Sequence, residues 1–430
     1  VFLLQQGVVI GIFLLAYFFI ITGKLDRSLI AFSMGLLAIF VKVADGLTIS
    51  RMGDFVDFNT LGILLGMMIL VGVLKSTGMF QYIAARIVRS SKGNMAVIYV
   101  LMIIAVAGLS SVLDNVTTIL LFAPIVFLIS DSIGFRPAPL MLSLIFASNI
   151  GGMATIIGDP PNILIGSAAK IGFLEFTSVM IAPSLIVLAI SLIYFRFRYP
   201  QFSQVPTERL NALLSIDPSK AILDRPLFLK GSIAFGVVLA GFILHDTLDY
   251  EASLIALSGG VVMLFLSKGT FEHIAREIEW NTLFFFLGLF LLTGALKEVG
   301  VIDHIAQWII TFQSRPFLLI ILIQWVSGIL GGLIGAVPVV AVFIPIVQTI
   351  APGFLHPQEL WWALVLGANM GGNLTISGTA ANIVGVGILE SASKTRMPFS
   401  QFFRDGVVIS LIGMGVASFY LGIRWFILIP

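Results

Sequence analysis

The chain contains no cysteine, and only 11% of its 430 residues are charged. The first absence excludes disulfides, thiolate metal sites and cysteine catalysis. The second, set beside 58% hydrophobic residues, excludes an ordinary soluble domain. Histidine is scarce as well. His245, His273, His304 and His356 fall in predicted loops or interfacial helices, where solvation is expected rather than metal ligation. No G-x-x-x-x-G-K-[ST] motif is present, so any use of ATP requires a separate subunit. The loops carry no motif for nucleic acid, and a net charge of +2 singles out no partner. What remains in abundance is apolar runs of helical length along the whole chain, which predicts an all-α polytopic membrane protein rather than a barrel of short strands. The first run, Val8 to Ile21, has no basic segment before it and no Ala-x-Ala-like site after it; it reads as a retained helix rather than a signal peptide.

Hydropathy predicts helices near residues 8–21, 28–43, 60–74, 178–195, 231–244, 250–267, 281–296 and 406–428. Between them lie two apolar hairpins, 95–130 around SSVLDNVTT and 317–350 around GGLIGAVP. Two further segments, 138–170 and 360–390, are interrupted by NIGGMATIIGDPPN and NMGGNLTISGTAAN and read as broken helices. The Pro-rich stretch 196–230 reads as a linker. The expected organisation is N-terminal helices over 1–44, a first repeat over 45–195, the linker, and a second repeat over 231–430.

The repeat is written in the residues. FNTLGILLGMMILVGVLKSTGMFQYIA from Phe58 aligns without gaps on WNTLFFFLGLFLLTGALKEVGVIDHIA from Trp280, and NIGGMATIIGDPPNI shares eight of fifteen residues with NMGGNLTISGTAANI. Between Lys75 and its repeat mate Lys297 the predicted chain crosses five times, an odd number, so the halves are inverted. Basic residues, 18 of the 24 Lys and Arg, gather on one side under this topology; that side, with the 196–230 loop, is expected to face the cytoplasm of a cell (inner) membrane. Lys75 and Lys297 are expected to snorkel at helix ends, and MFQYIAARIV and VIDHIAQWII to lie on the membrane surface. Inverted repeats with broken helices point to a secondary transporter, not an enzyme.

Backbone leaves a helix inside lipid only where protein or water satisfies its freed groups. The breaks therefore mark a hydrated cavity. Gly158 and Gly378 permit unusual backbone angles, and half-helices starting near Asn162 and Asn382 bring positive dipole ends inward. Asp114 and Asp159 are expensive at mid-membrane, on the order of 3 kcal/mol each, and are the candidate proton or cation carriers; the competing reading is that each caps a half-helix. Their repeat positions hold Gly335 and Thr379, so the acidic site is expected from the first half alone. Asn115, Thr117, Thr118, Asn149, Thr155 and Asn162, with Asn369, Asn373, Thr375, Ser377, Thr379 and Asn382 in the second half, supply candidate uncharged donors and acceptors for solute or ion, foremost Asn115, Asn162 and Asn382 beside the breaks. No resident cofactor or metal is expected; the coupling ion is H⁺ or Na⁺, with Na⁺ placed at Asp114, Asn115 and Asp159.

SSVLDNVTTILLFAPI, NIGGMATIIGDPPN and GANMGGNLTISGTAANIVG together resemble the ion transporter superfamily, closest to the arsenite/antimonite efflux permease (ArsB) family in its broad sense, including P protein-like and NhaD-like permeases. The resemblance implies inverted repeats, each with a re-entrant hairpin and a discontinuous helix, and a solute site between hairpin tips and breaks. It implies proton-coupled arsenite or antimonite efflux, with a sodium/proton antiporter or a carboxylate transporter as alternatives. Related dicarboxylate carriers hold Ser-Asn-Thr at their tips, whereas these tips read Asp-Asn-Val-Thr and Gly-Ala-Val-Pro. Neither tips nor breaks contain Lys or Arg, which suits a neutral solute or a cation better than a dianion. The expected partners are a small inorganic solute or ion and the lipid bilayer; a homodimer and a separate ATPase subunit are compatible with the sequence.

Overall fold

The computed structural model describes residues 2–22, 25–42, 46–92, 94–200, 218–267, 271–311, 314–394 and 397–428. All regular structure among them is helical, and nine helices are long and apolar enough to cross a membrane. Residues 201–217 of the expected linker lie outside the described residues, as do four basic residues counted for the orientation: Lys24, Arg209, Lys268 and Arg396.

Read from Phe2 and again from Arg225, the same series of elements appears. A long helix (Phe2–Thr22; Arg225–Leu248) is followed by a shorter one (Arg27–Phe40; Ala252–Ser267) and by a membrane helix that ends near a lysine (Phe58–Ser76; Trp280–Glu298). A surface helix comes next (Met79–Ser90; Val301–Ile310), then a hairpin (Met95–Ser110 and Asn115–Ile133; Pro316–Ile334 and Ala336–Ile350). A broken helix (Ala138–Gly152 and Pro160–Ala169; Pro357–Gly371 and Ala380–Ser393) and a closing helix (Phe173–Arg198; Phe399–Ile423) complete each half. The N-terminal helices, expected to stand apart as residues 1–44, thus have counterparts at the start of the second half. Hydropathy missed the pairing because the likeness is confined to a few residues, Ser28-Leu29-Ile30-Ala31 against Ser253-Leu254-Ile255-Ala256.

Local chemistry sets these boundaries. Asp57 caps its helix by accepting from the backbone N–H groups of Asn59 and Thr60 at 3.0 and 3.1 Å, and Asn94 does the same for Ala96 and Val97. Gly78 and Gly300, repeat mates, sit at φ 81° and 72°, a left-handed region that glycine enters freely; there each membrane helix turns into its surface helix.

The halves exchange partners. Helix Phe58–Ser76 packs on Ala252–Ser267 so closely that a methyl group at Gly66 would lie 2.3 Å from the carbonyl carbon of Ala256. The inverted copy of this contact is Gly288 against Ala31, again 2.3 Å, where Trp280–Glu298 packs on Arg27–Phe40. Each half therefore supplies one member of both pairs. Lys75, expected to snorkel, joins the halves at one end through a 2.7 Å bond from Nζ to Glu277 Oε2. The closing helices reciprocate too: Tyr194 donates its hydroxyl to Asp405, and its mate Tyr420 to the Val179 carbonyl.

Because the obstruction at both crossings is backbone, a larger side chain cannot be accommodated by a rotamer change. Gly66→Val and Gly288→Val are expected to destabilise the protein by similar amounts, about 1–3 kcal/mol or more, read as a lower melting temperature in detergent. Gly108→Val, whose added side chain meets open space, serves as the control that stays near wild type.

Candidate functional site

Both breaks are built to one plan. In the first, the helix stops at Gly152 and restarts at Pro160, whose missing N–H costs nothing at a helix start. In the second, it stops at Gly371 and restarts at Ala380. The loop between doubles back until Gly158 faces the Gly152 carbonyl, and Gly378 faces that of Gly372; a methyl group would sit 2.4 and 2.2 Å from those oxygens. Asn162 then spans the gap, donating its amide to the carbonyls of Gly152 and Thr155 at 3.0 and 2.9 Å. Asn382 does the same to Gly372 and Thr375, both at 2.9 Å. Thr155 and Thr375 tie each loop to its own hairpin tip through the carbonyls of Ser111 and Gly332.

The breaks are also tied to each other. Asn369 donates to Asn162 Oδ1 at 2.7 Å, and its mate Asn149 donates to Asn382 Oδ1 at 2.8 Å. Four amides thus exchange across the repeat axis, all of them buried. Asn149 also donates to Asn373 Oδ1 at 2.8 Å, a contact with no counterpart because Met153 occupies the mate of Asn373. On the acceptor side the symmetry fails. Asn149 Oδ1 receives Thr379 Oγ1 at 3.3 Å and Asn115 Nδ2 at 3.4 Å, whereas the buried Asn369 Oδ1 has no partner among the described residues. The residues at the corresponding positions are Asp159 and Ala336.

A cavity of about 120 Å³, space for several waters, lies where the tips and breaks meet. Asp114 and Asn115 reach it from the first tip, Asp159 from the first break, and Ser377, Gly378 and Thr379 from the second break. Thr117, Thr118, Asn149, Thr155, Gly158 and Asn162 do not line it, nor do Asn369, Asn373, Thr375 and Asn382. These residues hold the breaks and tips in place. Asn162 and Asn382, expected beside the solute, have their amide hydrogens engaged by the break carbonyls. Thr118 is buried and donates to the Asp114 carbonyl at 3.0 Å.

The two aspartates behave differently. Asp114 caps the second hairpin arm, accepting the Thr117 N–H at 2.9 Å, so the capping reading holds for it even as it faces the cavity. Asp159 stands at the same kind of position but makes no capping bond; its mate Thr379 does, accepting the Asn382 N–H at 3.2 Å. At the second tip Gly335 lies at φ 108°, where a side chain is strained, while Asp114 lies at φ −68°. An aspartate could not take the Gly335 conformation without strain.

Two charged residues that the motifs did not reveal complete the lining. Glu279 precedes helix Trp280–Glu298 and accepts Thr282 Oγ1 at 3.0 Å; Arg27 opens helix Arg27–Phe40. Glu279 corrects the expectation that the acids come from the first half alone, and Arg27 adds a guanidinium from outside the tips and breaks. Both lie at helix ends far in sequence from any tip or break, and the signal that could have found Glu279 is its alignment with the capping residue Asp57. Tyr17 braces the same region, donating to the Pro338 carbonyl of the second tip at 2.8 Å. Among the described residues no three acidic or histidine side chains group closely enough to hold a metal ion.

With the geometry in place, the chain can be set beside known proteins. Residues 17–367 match the family described as CitMHS: Citrate transporter. The chain belongs to that family. It is a multi-pass membrane transporter, 34% identical over 98% of its length to an uncharacterized transporter of Mycobacterium tuberculosis, of which it covers 99%. It is 30% identical to the P protein of Sus scrofa over 94% of this chain and 58% of that one. In fold it is similar to the YdaH transporter of Alcanivorax borkumensis, with a TM-score of 0.63 at 14% identity, covering 94% of this chain and 99% of the other.

Asn382→Ala removes the donor from two buried carbonyls and the acceptor of Asn149 at once. The expected cost is about 2–4 kcal/mol, and Asn162→Ala should lose a similar amount. Thermal melts of both variants in detergent check the symmetry; a wild-type melting temperature for either would show that water can replace the amide.

Proposed function

We propose that this transporter is a secondary carrier of a small carboxylate anion of the citrate type, coupled to H⁺ or Na⁺. Family membership over residues 17–367 carries the reading. The cavity lining supports it, because Arg27 offers a carboxylate-binding group where tips and breaks alone offered none. Proton-coupled arsenite efflux has the motif resemblance behind it but no support from the family description, which names citrate.

Charge explains the coupling. With Asp114, Asp159 and Glu279 ionised against one arginine, the lining carries a net charge of −2. A second negative group 6–8 Å from any of them adds repulsion of about 2–3 kcal/mol at an effective dielectric constant near 20. A polycarboxylate therefore enters together with protons or cations that neutralise these acids, and leaves with them. Asp159 suits the proton. It occupies the repeat position of Thr379, whose hydroxyl donates to Asn149 Oδ1, so a protonated Asp159 would offer the matching donor to Asn369 Oδ1. Na⁺ in place of H⁺ would sit at Asp114, Asn115 and Asp159. Alternating access follows from the inverted halves exchanging conformations around this site.

Purified protein in liposomes should accumulate citrate under an imposed proton or sodium gradient and should not accumulate arsenite. Arsenite flux without carboxylate flux would overturn the reading. Asp159→Asn is expected to fold, to bind citrate, and to lose concentrative uptake while keeping exchange; uptake that still follows the gradient would take Asp159 out of the coupling step.

A further inference from the structure

We infer that Arg27 receives a carboxylate of the substrate on one face of the membrane, and that the protein has no equivalent receptor on the other face. This rests on the carboxylate reading above and adds to it a residue and a direction.

Arg27 is half-buried, yet among the described residues its guanidinium has neither an ion-pair partner within 4.0 Å nor a hydrogen bond. Other arginines that are similarly enclosed are engaged: Arg424 binds Glu359 through two nitrogens, the shorter contact being 2.6 Å, and Arg198 reaches Asp405 at 3.4 Å. Neighbouring acids have other donors. Asp26 accepts from the Ser28 hydroxyl and the backbone N–H groups of Ser28 and Leu29. Glu279 holds Thr282, and Asp114 holds the Thr117 N–H. Asp159, the remaining acid of the lining, also lies more than 4.0 Å away. Five donors in a planar fork, partly removed from water at the lining of a cavity that several acids share, match a carboxylate of an incoming anion.

The repeat shows why the receptor is one-sided. Asp26-Arg27-Ser28-Leu29-Ile30-Ala31 aligns with Glu251-Ala252-Ser253-Leu254-Ile255-Ala256, so the acid and four further residues are kept in type while arginine becomes alanine. Because the halves are inverted, the position of Ala252 serves the opposite face. Glu279 does have a counterpart there, Asp57. Arg27 and Glu279 lie at the end of the molecule where Lys75 meets Glu277, which fixes the side in question. Capture at this face is thus assisted by a guanidinium, and release at the other proceeds without one.

The absence of cysteine makes the test direct. A single cysteine at the exposed Gln81, on the surface helix that follows Lys75, sorts the two orientations in liposomes by its reaction with an impermeant maleimide. Citrate transport is then measured from each face. Arg27→Ala is expected to raise KM about tenfold to a hundredfold on the Gln81 face and to change it less than twofold on the other, with an unaltered melting temperature. Arg27→Lys should recover part of the loss. An unchanged KM on the Gln81 face, or an equal rise on both faces, overturns the inference. Wild-type protein that moves no citrate would instead overturn the carboxylate reading itself.

Discussion

Peptide groups released from a helix inside a bilayer must find hydrogen-bond partners, and this requirement governs the middle of the molecule. Each break leaves carbonyls that no helix can satisfy, and one asparagine amide per break satisfies two of them. Because Asn162 and Asn382 also accept from the opposite half, the repair of one break depends on the other half being in register. The hairpin tips are then held against the breaks by Thr155 and Thr375. The cavity is what is left where these fixed pieces do not touch.

On this nearly symmetric frame the chemistry is uneven. The first tip presents Asp114 from ordinary extended backbone, while the second turns through Gly335 at a positive φ that disfavours any side chain. Asp159 takes the repeat position of Thr379, and Arg27 that of Ala252. The near-symmetry shapes the frame; the departures from it set which charges line the cavity. The second half is not chargeless, since Glu279 enters the same space from a helix start.

The frame was legible in the sequence to the extent that it is written in contiguous motifs. Glycine pairs, GDPPN and the matching asparagines announced two breaks, and the alignment of Phe58 with Trp280 announced the repeat. Expectations for individual side chains were less legible. Asn115 does line the cavity, whereas Asn162 and Asn382 turn their amides to the break carbonyls, and which of these an amide does depends on a fold-back of ten residues that spacing does not encode. Arg27 and Glu279 escaped notice for the opposite reason. They sit at ordinary helix starts, where an acid reads as a cap and an arginine as an interfacial anchor, and only the exchange of helices between halves carries them into the cavity.

That exchange has a consequence for biosynthesis. Helix Arg27–Phe40 has 14 residues, about 21 Å at 1.5 Å per residue, too short to cross a hydrocarbon core of about 30 Å unaided. Its partner, Trp280–Glu298, is translated some 240 residues later. Until that helix is made, the face around Ala31 lacks the surface it packs on in the finished protein. A chain that stops short of Gly288 would leave a short apolar helix with its docking face uncovered.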